Sequence, residues 1–122
     1  MTLLEIKRLA MQELGFSGYD YEEEVEAYEP ALTAYINQAY SEVFSRYDEE
    51  GEFIPLASEE DEPDFEPGAY HTMLAYYAAG RIMSSERGEK QTRAAALLEE
   101  YFRLLMAIRP RGKRAARLIN KY

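Results

Sequence analysis

Residues 30–47 read PALTAYINQAYSEVFSRY, and this stretch decides the fold. Leu32, Tyr35, Ile36, Ala39, Tyr40, Val43, Phe44 and Tyr47 stand at offsets 0, 3, 4, 7, 8, 11, 12 and 15, an unbroken apolar stripe at the helical period. Pro30 suits a first turn, where its missing N–H would lack a helical partner anyway, so the spacing predicts a helix over 30–47. Downstream the same period returns twice. Tyr70, Met73, Leu74, Tyr77, Ala78 and Ile82 mark a helix from about Pro67 to Glu86. Ala94, Leu97, Leu98, Tyr101, Leu104, Leu105 and Ile108 mark another from about Lys90 to Ile108, with Phe102 and Met106 widening its stripe. Gly88 separates these two and Pro110 ends the last.

Upstream, Thr2 followed by Glu5 forms a capping-box pattern and Gly15 stands where a left-handed C-terminal cap is wanted, which sets a first helix over Thr2 to Leu14. Leu3, Ile6, Leu9, Ala10 and Leu14 supply its apolar side. Between it and Pro30 lies Phe16 to Glu29, a turn at Ser17 and Gly18 and then the acidic stretch Glu22 to Glu26, read as the start of a short helical turn. No strand pattern competes over any useful length. Phe53, Ile54 and Leu56 are the strand-like candidates, inside a proline-bearing acidic loop from Asp48 to Glu66 that is far longer than the usual two to eight residues between helices. The fold class is therefore all-α, a small helical bundle of about four helices with a long acidic loop and a basic C-terminal tail. The bundle domain spans 1–108, with 48–66 as its extended loop, and the tail spans 109–122.

With 122 residues the chain is one domain's length, and 47% apolar with 30% charged residues places it among globular chains. The net charge of −9 hides a division: residues 1–67 hold 19 acids against 3 bases, and residues 68–122 hold 4 acids against 11 bases. The last fourteen residues carry Arg109, Arg111, Lys113, Arg114, Arg117 and Lys121 and no acid. An acidic body argues against general nucleic-acid binding, which needs a positive field over the whole contact surface. Complementary fields instead suggest that the basic end of one copy meets an acidic surface of another copy or protein, set against the plainer reading of acidic loops and a solvated tail. Within the tail, Ala115, Leu118, Ile119 and Tyr122 stand at offsets 0, 3, 4 and 7, a short amphipathic helix that would form only on contact.

Chemistry is harder to find. The sequence has no cysteine, hence no disulfide, thiolate nucleophile or cysteine-ligated metal. No apolar run approaches a membrane span, and Glu5, Lys7, Arg8 and Glu13 interrupt the N-terminus, unlike a signal peptide, so the protein is expected to be made and kept in the cytoplasm. His71 is the sole histidine and reads as a surface or interface residue. Asp48, Glu50 and Glu52 lack the register of a calcium loop, and Gly15 to Gly18 lack the lysine of a phosphate loop. Glu59, Glu60, Asp61 and Glu62 lie in a polar loop with nothing to raise a pKa. No catalytic residue, cofactor or metal is assigned, and the chain reads as a non-enzyme. Two aromatic details carry more. Arg81 falls inside the third stripe, so its guanidinium should lie along tyrosine faces or pair with an acid. Tyr76 and Tyr77 are adjacent and cannot face one core together, so one should reach a second contact surface.

The order of these features resembles the head-tail connector, or adaptor, proteins of tailed bacteriophages. The resembling parts are the short helix from Thr2, the segment Tyr35-Ile36-Asn37-Gln38-Ala39-Tyr40, the long acidic loop, and Leu74-Ala75-Tyr76-Tyr77-Ala78-Ala79-Gly80-Arg81-Ile82. A last helix with Tyr101 and Phe102 and then a charged tail complete it, so the likeness covers nearly the whole chain. Gly80 departs from the family, where a third alanine is more usual. The resemblance implies a structural virion protein at the neck, present in the host cytoplasm during assembly. Its copies, twelve in such rings, would sit below the portal, extend the DNA channel used in genome ejection, and present a surface to the stopper or tail-completion protein. DNA would pass without specific binding, with no membrane and no cofactor involved. Carried onto this chain, Arg109, Arg111, Lys113, Arg114, Arg117, Leu118, Ile119 and Tyr122 would dock on the portal. Phe53, Ile54, Pro55 and Leu56 would form an inter-subunit or channel-facing arm. A different class remains open beside it, a small acidic regulatory module that binds one protein, such as an inhibitor of a nucleic-acid-binding protein.

Overall fold

The computed structural model describes residues 1–15, 21–48, 50–65, 68–84 and 88–109, with the backbone alone at 21–25, 68, 69 and 89. Four helices carry the regular structure there: α1 (Leu3–Glu13), α2 (Tyr21–Tyr47), α3 (Thr72–Met83) and α4 (Glu89–Ala107), with a 3-10 turn at Gly68–His71 before α3. No strand forms among the described residues, so the all-α bundle is the fold.

Local chemistry accounts for the ends of α1. Thr2 Oγ1 accepts the Glu5 N–H at 3.2 Å, and Glu5 Oε1 accepts the Thr2 N–H at 3.0 Å, closing the capping box. These bonds from Thr2 hold the exposed Glu5 carboxyl below its ordinary pKa. At the other end Gly15 takes φ +95°, the left-handed conformation that favours glycine. Leu3, Ile6, Ala10 and Met11 are buried on one face.

Helix α2 departs from expectation. It begins at Tyr21, not Pro30, and runs 27 residues with Pro30 inside it. An interior proline costs a hydrogen bond and crowds the preceding turn. The run before it, residues 21–29, holds five glutamates, good helix formers that are also favoured near a helix N-terminus, and Glu29 is anchored to Lys7 of α1. Propensity and packing together carry the helix through the proline. The expected stripe then does its part: Leu32, Ile36, Ala39, Tyr40, Val43 and Phe44 are all buried.

Helix α3 is the hub, packed against α1, α2 and α4. Of its twelve residues, Met73, Leu74, Ala75, Tyr77, Ala78, Ala79, Gly80 and Met83 are buried, which requires small side chains where neighbours come close. It starts later than the stripe suggested, because residues 68–71 form the tighter 3-10 turn, and Pro67 and Glu86 lie outside the described residues. Gly80 marks the closest approach. A Cβ there would stand 2.8 Å from Leu98 Cγ and 3.3 Å from the Ala94 carbonyl, so α4 sits in the space that an alanine would fill. Helix α4 seats Ala94, Tyr101 and Leu105 in the core, and Ile108, the extended residue just past its end, is buried with them. Phe102 and Met106, expected to widen its buried stripe, are instead exposed by 49% and 67%.

Candidate interaction surfaces

Residues 50–65 contain no helix or strand, yet they are bound to the bundle at several points along their length; this segment is the strap. Asn37 on α2 holds its middle. The Asn37 Nδ2 donates to the Leu56 carbonyl at 2.9 Å and Asn37 Oδ1 accepts the Leu56 N–H at 2.7 Å. A side-chain amide carries the same donor and acceptor as a peptide, so one residue satisfies both backbone groups of Leu56, whose side chain is buried. Phe53 lies half-buried with its ring 5.0 Å from Tyr40 and 5.9 Å from Phe44. Nearer the far end the Asp64 N–H donates to the Tyr40 hydroxyl at 2.8 Å, and burial pushes that hydroxyl's pKa up. Asp61 turns the chain by accepting the Ala57 and Ser58 N–H groups, which hold its carboxyl below the usual range.

Lys7 of α1 and His71 of the turn before α3 close the strap against the bundle. Lys7, only 2% exposed, sets its ammonium on Glu29 of α2 and 3.7 Å from Glu59 of the strap. Burying an ammonium is costly unless it is paired, and here two carboxylates from two elements share it. His71, 6% exposed, corrects the expectation of a surface histidine. Its Nε2 lies 2.8 Å from the Phe65 carbonyl, which can only accept, so Nε2 carries the proton. Its Nδ1 is then free to accept from the Met1 nitrogen at 2.9 Å. Burial lowers the His71 pKa, and the nearby Met1 ammonium acts in the same direction, against the Phe65 bond and the Glu62 charge. The imidazole is therefore a neutral connector, not an acid or base facing solvent.

The other side of α2 faces α3 and α4. On it Gln38 accepts from the Tyr77 hydroxyl at 2.7 Å, and Glu42 accepts from the Tyr101 hydroxyl. Burial first, and then that carboxylate, raise the Tyr101 pKa far above the ordinary phenol value. Arg81 does what its place in the stripe required. Its guanidinium lies 5.2 Å from the Tyr35 ring centroid and 5.8 Å from that of Tyr77, at the mouth of an open groove lined by Tyr28, Ala31, Tyr35, Ile82, Ser84 and Leu98. Of the adjacent tyrosines, Tyr77 enters the core and Tyr76 is half-exposed. Further along, Arg46 Nη2 rests 3.5 Å from Met106 Sδ, beside the exposed Phe102.

The candidate residues are thus divided. Phe53 and Leu56 belong to the chain's own packing, whereas Ile54, 68% exposed, and Pro55 point outward. Arg109 is exposed just past α4, while Arg111, Lys113, Arg114, Arg117, Leu118, Ile119 and Tyr122 lie outside the described residues. Asn37, Lys7 and His71, which fasten the strap, carried no signal in a single-sequence reading beyond being polar residues on or beside apolar stripes. Among the described residues no group of three His, Cys, Asp or Glu side chains is placed to hold a metal ion, and no helix is long and apolar enough to cross a membrane. No family model, no curated protein and no solved structure matches the chain.

Proposed function

We propose that the chain is a head-tail adaptor of a tailed bacteriophage, a structural protein that forms a ring below the portal, extends the DNA channel and joins the head to stopper or tail-completion proteins. The order of elements carries this reading. A capped short helix leads to a helix bearing Tyr35-Ile36-Asn37-Gln38-Ala39-Tyr40, then an acidic strap, a third helix bearing Leu74 to Ile82, and a fourth helix followed by a basic tail. That is the order of the adaptor family the sequence resembles. The charge division supports it, because an acidic body does not hold DNA that must slide, while a tail of six bases without an acid suits an acidic docking surface. Electron microscopy of the protein mixed with the portal ring of the same source tests the reading. One added copy per portal subunit is the expected result, and removal of residues 111–122 should leave the bundle folded and abolish attachment. A bare portal overturns it.

The strap's exposed acids, Glu50, Glu52, Glu59, Glu60 and Glu62, favour one second reading, an acidic regulatory module that occupies the basic surface of a single partner. It expects a discrete one-to-one or two-to-two complex and no ring.

A further inference from the structure

Among the described residues the large apolar side chains left exposed are Ile54, Phe102 and Met106. Two of the three lie on α4, and they extend a ridge that begins in the bundle. Leu98, Phe102 and Met106 stand four residues apart, so they follow one another along one side of the helix. That side looks toward α2: Leu98 lines the Arg81 groove with Ala31 and Tyr35, and Met106 Sδ meets Arg46. Helices α2 and α4 both pack on α3 and meet each other at few points, which leaves the ridge open between them. Charge gives this face no preference. Glu42, Glu99 and Glu100 stand there with Arg46, Arg103 and Arg109, and Glu100 is already paired with Arg103. An occupant must therefore be apolar on its inner side and carry its charge elsewhere.

The chain supplies such a segment a few residues on. In 113–122, Ala115, Leu118, Ile119 and Tyr122 share one helical side, while Lys113, Arg114, Arg117 and Lys121 centre about 135° away from it at 100° per residue. Ala115 to Tyr122 spans about 10 Å as a helix, close to the roughly 12 Å from Leu98 to Met106 along α4. The link between them suits a reversal. Ile108 already leaves the helix in an extended conformation, with ψ 128°, and Pro110 and Gly112 follow.

We propose that residues 113–122 fold back on their own chain as a helix antiparallel to α4, seated on the Leu98–Phe102–Met106 ridge. A hairpin that turns at Pro110 sets position 118 opposite 102 and position 122 opposite 98. Leu118 and Ile119 then cover Phe102, Tyr122 reaches toward Leu98, and the four bases face outward. A helix this short is marginal alone, but the short link gives the seat a high effective concentration. Because Ala115 is small, Phe102 carries most of the contact and Met106 marks its edge. The seat does not rest on the adaptor reading, since it uses the apolar side of the tail and leaves the basic side to an acidic partner.

Amide hydrogen exchange on the full chain, resolved by residue, tests the seat. Amides of 114–121 are expected to exchange several-fold more slowly than in an unstructured chain. Phe102→Ser should return them to unstructured rates, while the amides of α1 to α3 keep theirs and show the bundle intact. Leu118→Ser, which leaves every described residue unchanged, should release the rest of the tail in the same way and decides the matter if Phe102→Ser disturbs the bundle. Tail amides at unstructured rates in the unsubstituted chain overturn the seat, as does protection that survives both substitutions. Slowing that grows with protein concentration also overturns it, because the tail would then lie on a second copy. No readout involves a portal, so a failed seat leaves the adaptor reading standing, and a bare portal leaves the seat.

Discussion

The strap and the outer face of α4 invert what their backbones suggest. Residues 50–65 have no regular structure and many charges, yet backbone and side chain are fastened to α1, α2 and the turn before α3. Helix α4 has nineteen regular residues, its backbone satisfied mostly along its own length, and leaves Phe102 and Met106 in water. Helical regularity satisfies the backbone and says nothing about the side chains' needs. An irregular segment must find partners for each peptide group elsewhere, so it becomes the more constrained of the two when those partners exist.

That comparison can be broken at its strongest point by Asn37→Ala. The variant leaves the Leu56 N–H and carbonyl without protein partners, and a loss of about 2 to 3 kcal/mol is expected in denaturant unfolding, with faster amide exchange at Leu56. An unchanged midpoint would mean the strap is held by its aromatic residues alone. Next in size, Gly80→Ala tests how tightly α4 is seated. Alanine favours a helix by roughly 1 kcal/mol over glycine, but Leu98 must move to admit the methyl, and a net loss of about 1 kcal/mol is expected.

Smaller again is a pH effect confined to the strap's end. The His71 pKa is lowered on folding, so its contribution is fully present above the ordinary value of 6.5 and is lost as pH falls from there through the folded value. Protonation would place a second donor opposite the Met1 nitrogen. Stability measured by denaturant should therefore decline below about pH 6.5, and His71→Gln should flatten that limb. Asp61, held below its ordinary 3.8 by the Ala57 and Ser58 N–H groups, adds its loss only in more acid solution. The smallest effect belongs to the regular helix. Met106→Ser should change monomer stability by no more than about 0.5 kcal/mol, because the residue is 67% exposed, and a larger loss would show that α4 uses this face for its own folding.

How far the sequence could be read follows from the same contrast. Periodicity is local, so the stripes of α2, α3 and α4 were legible, as were the Thr2 and Glu5 capping box and the aromatic seat of Arg81. Pro30 misled because proline is weighed as a boundary, while the glutamates before it and the Lys7 anchor outweigh its cost. Phe102 and Met106 were assigned inward because apolar type signals burial in one direction only, and exposed apolar residues are common. Asn37 was invisible for a different reason. Its partner Leu56 stands 19 residues on, and no spacing rule links a lone amide to a distant peptide group.

One detail at the start of α1 has reach across the chain. The Leu3 N–H donates to the Asp61 carbonyl at 2.8 Å and the Leu4 N–H to the Glu59 carbonyl at 3.1 Å, so two of the four N–H groups a helix start leaves open are closed by the strap. Neither segment completes its hydrogen bonding without the other, although more than fifty residues separate them. They form one cooperative unit: when the strap lifts, α1 frays with it, and a protease that gains the strap gains the N-terminal helix in the same opening event.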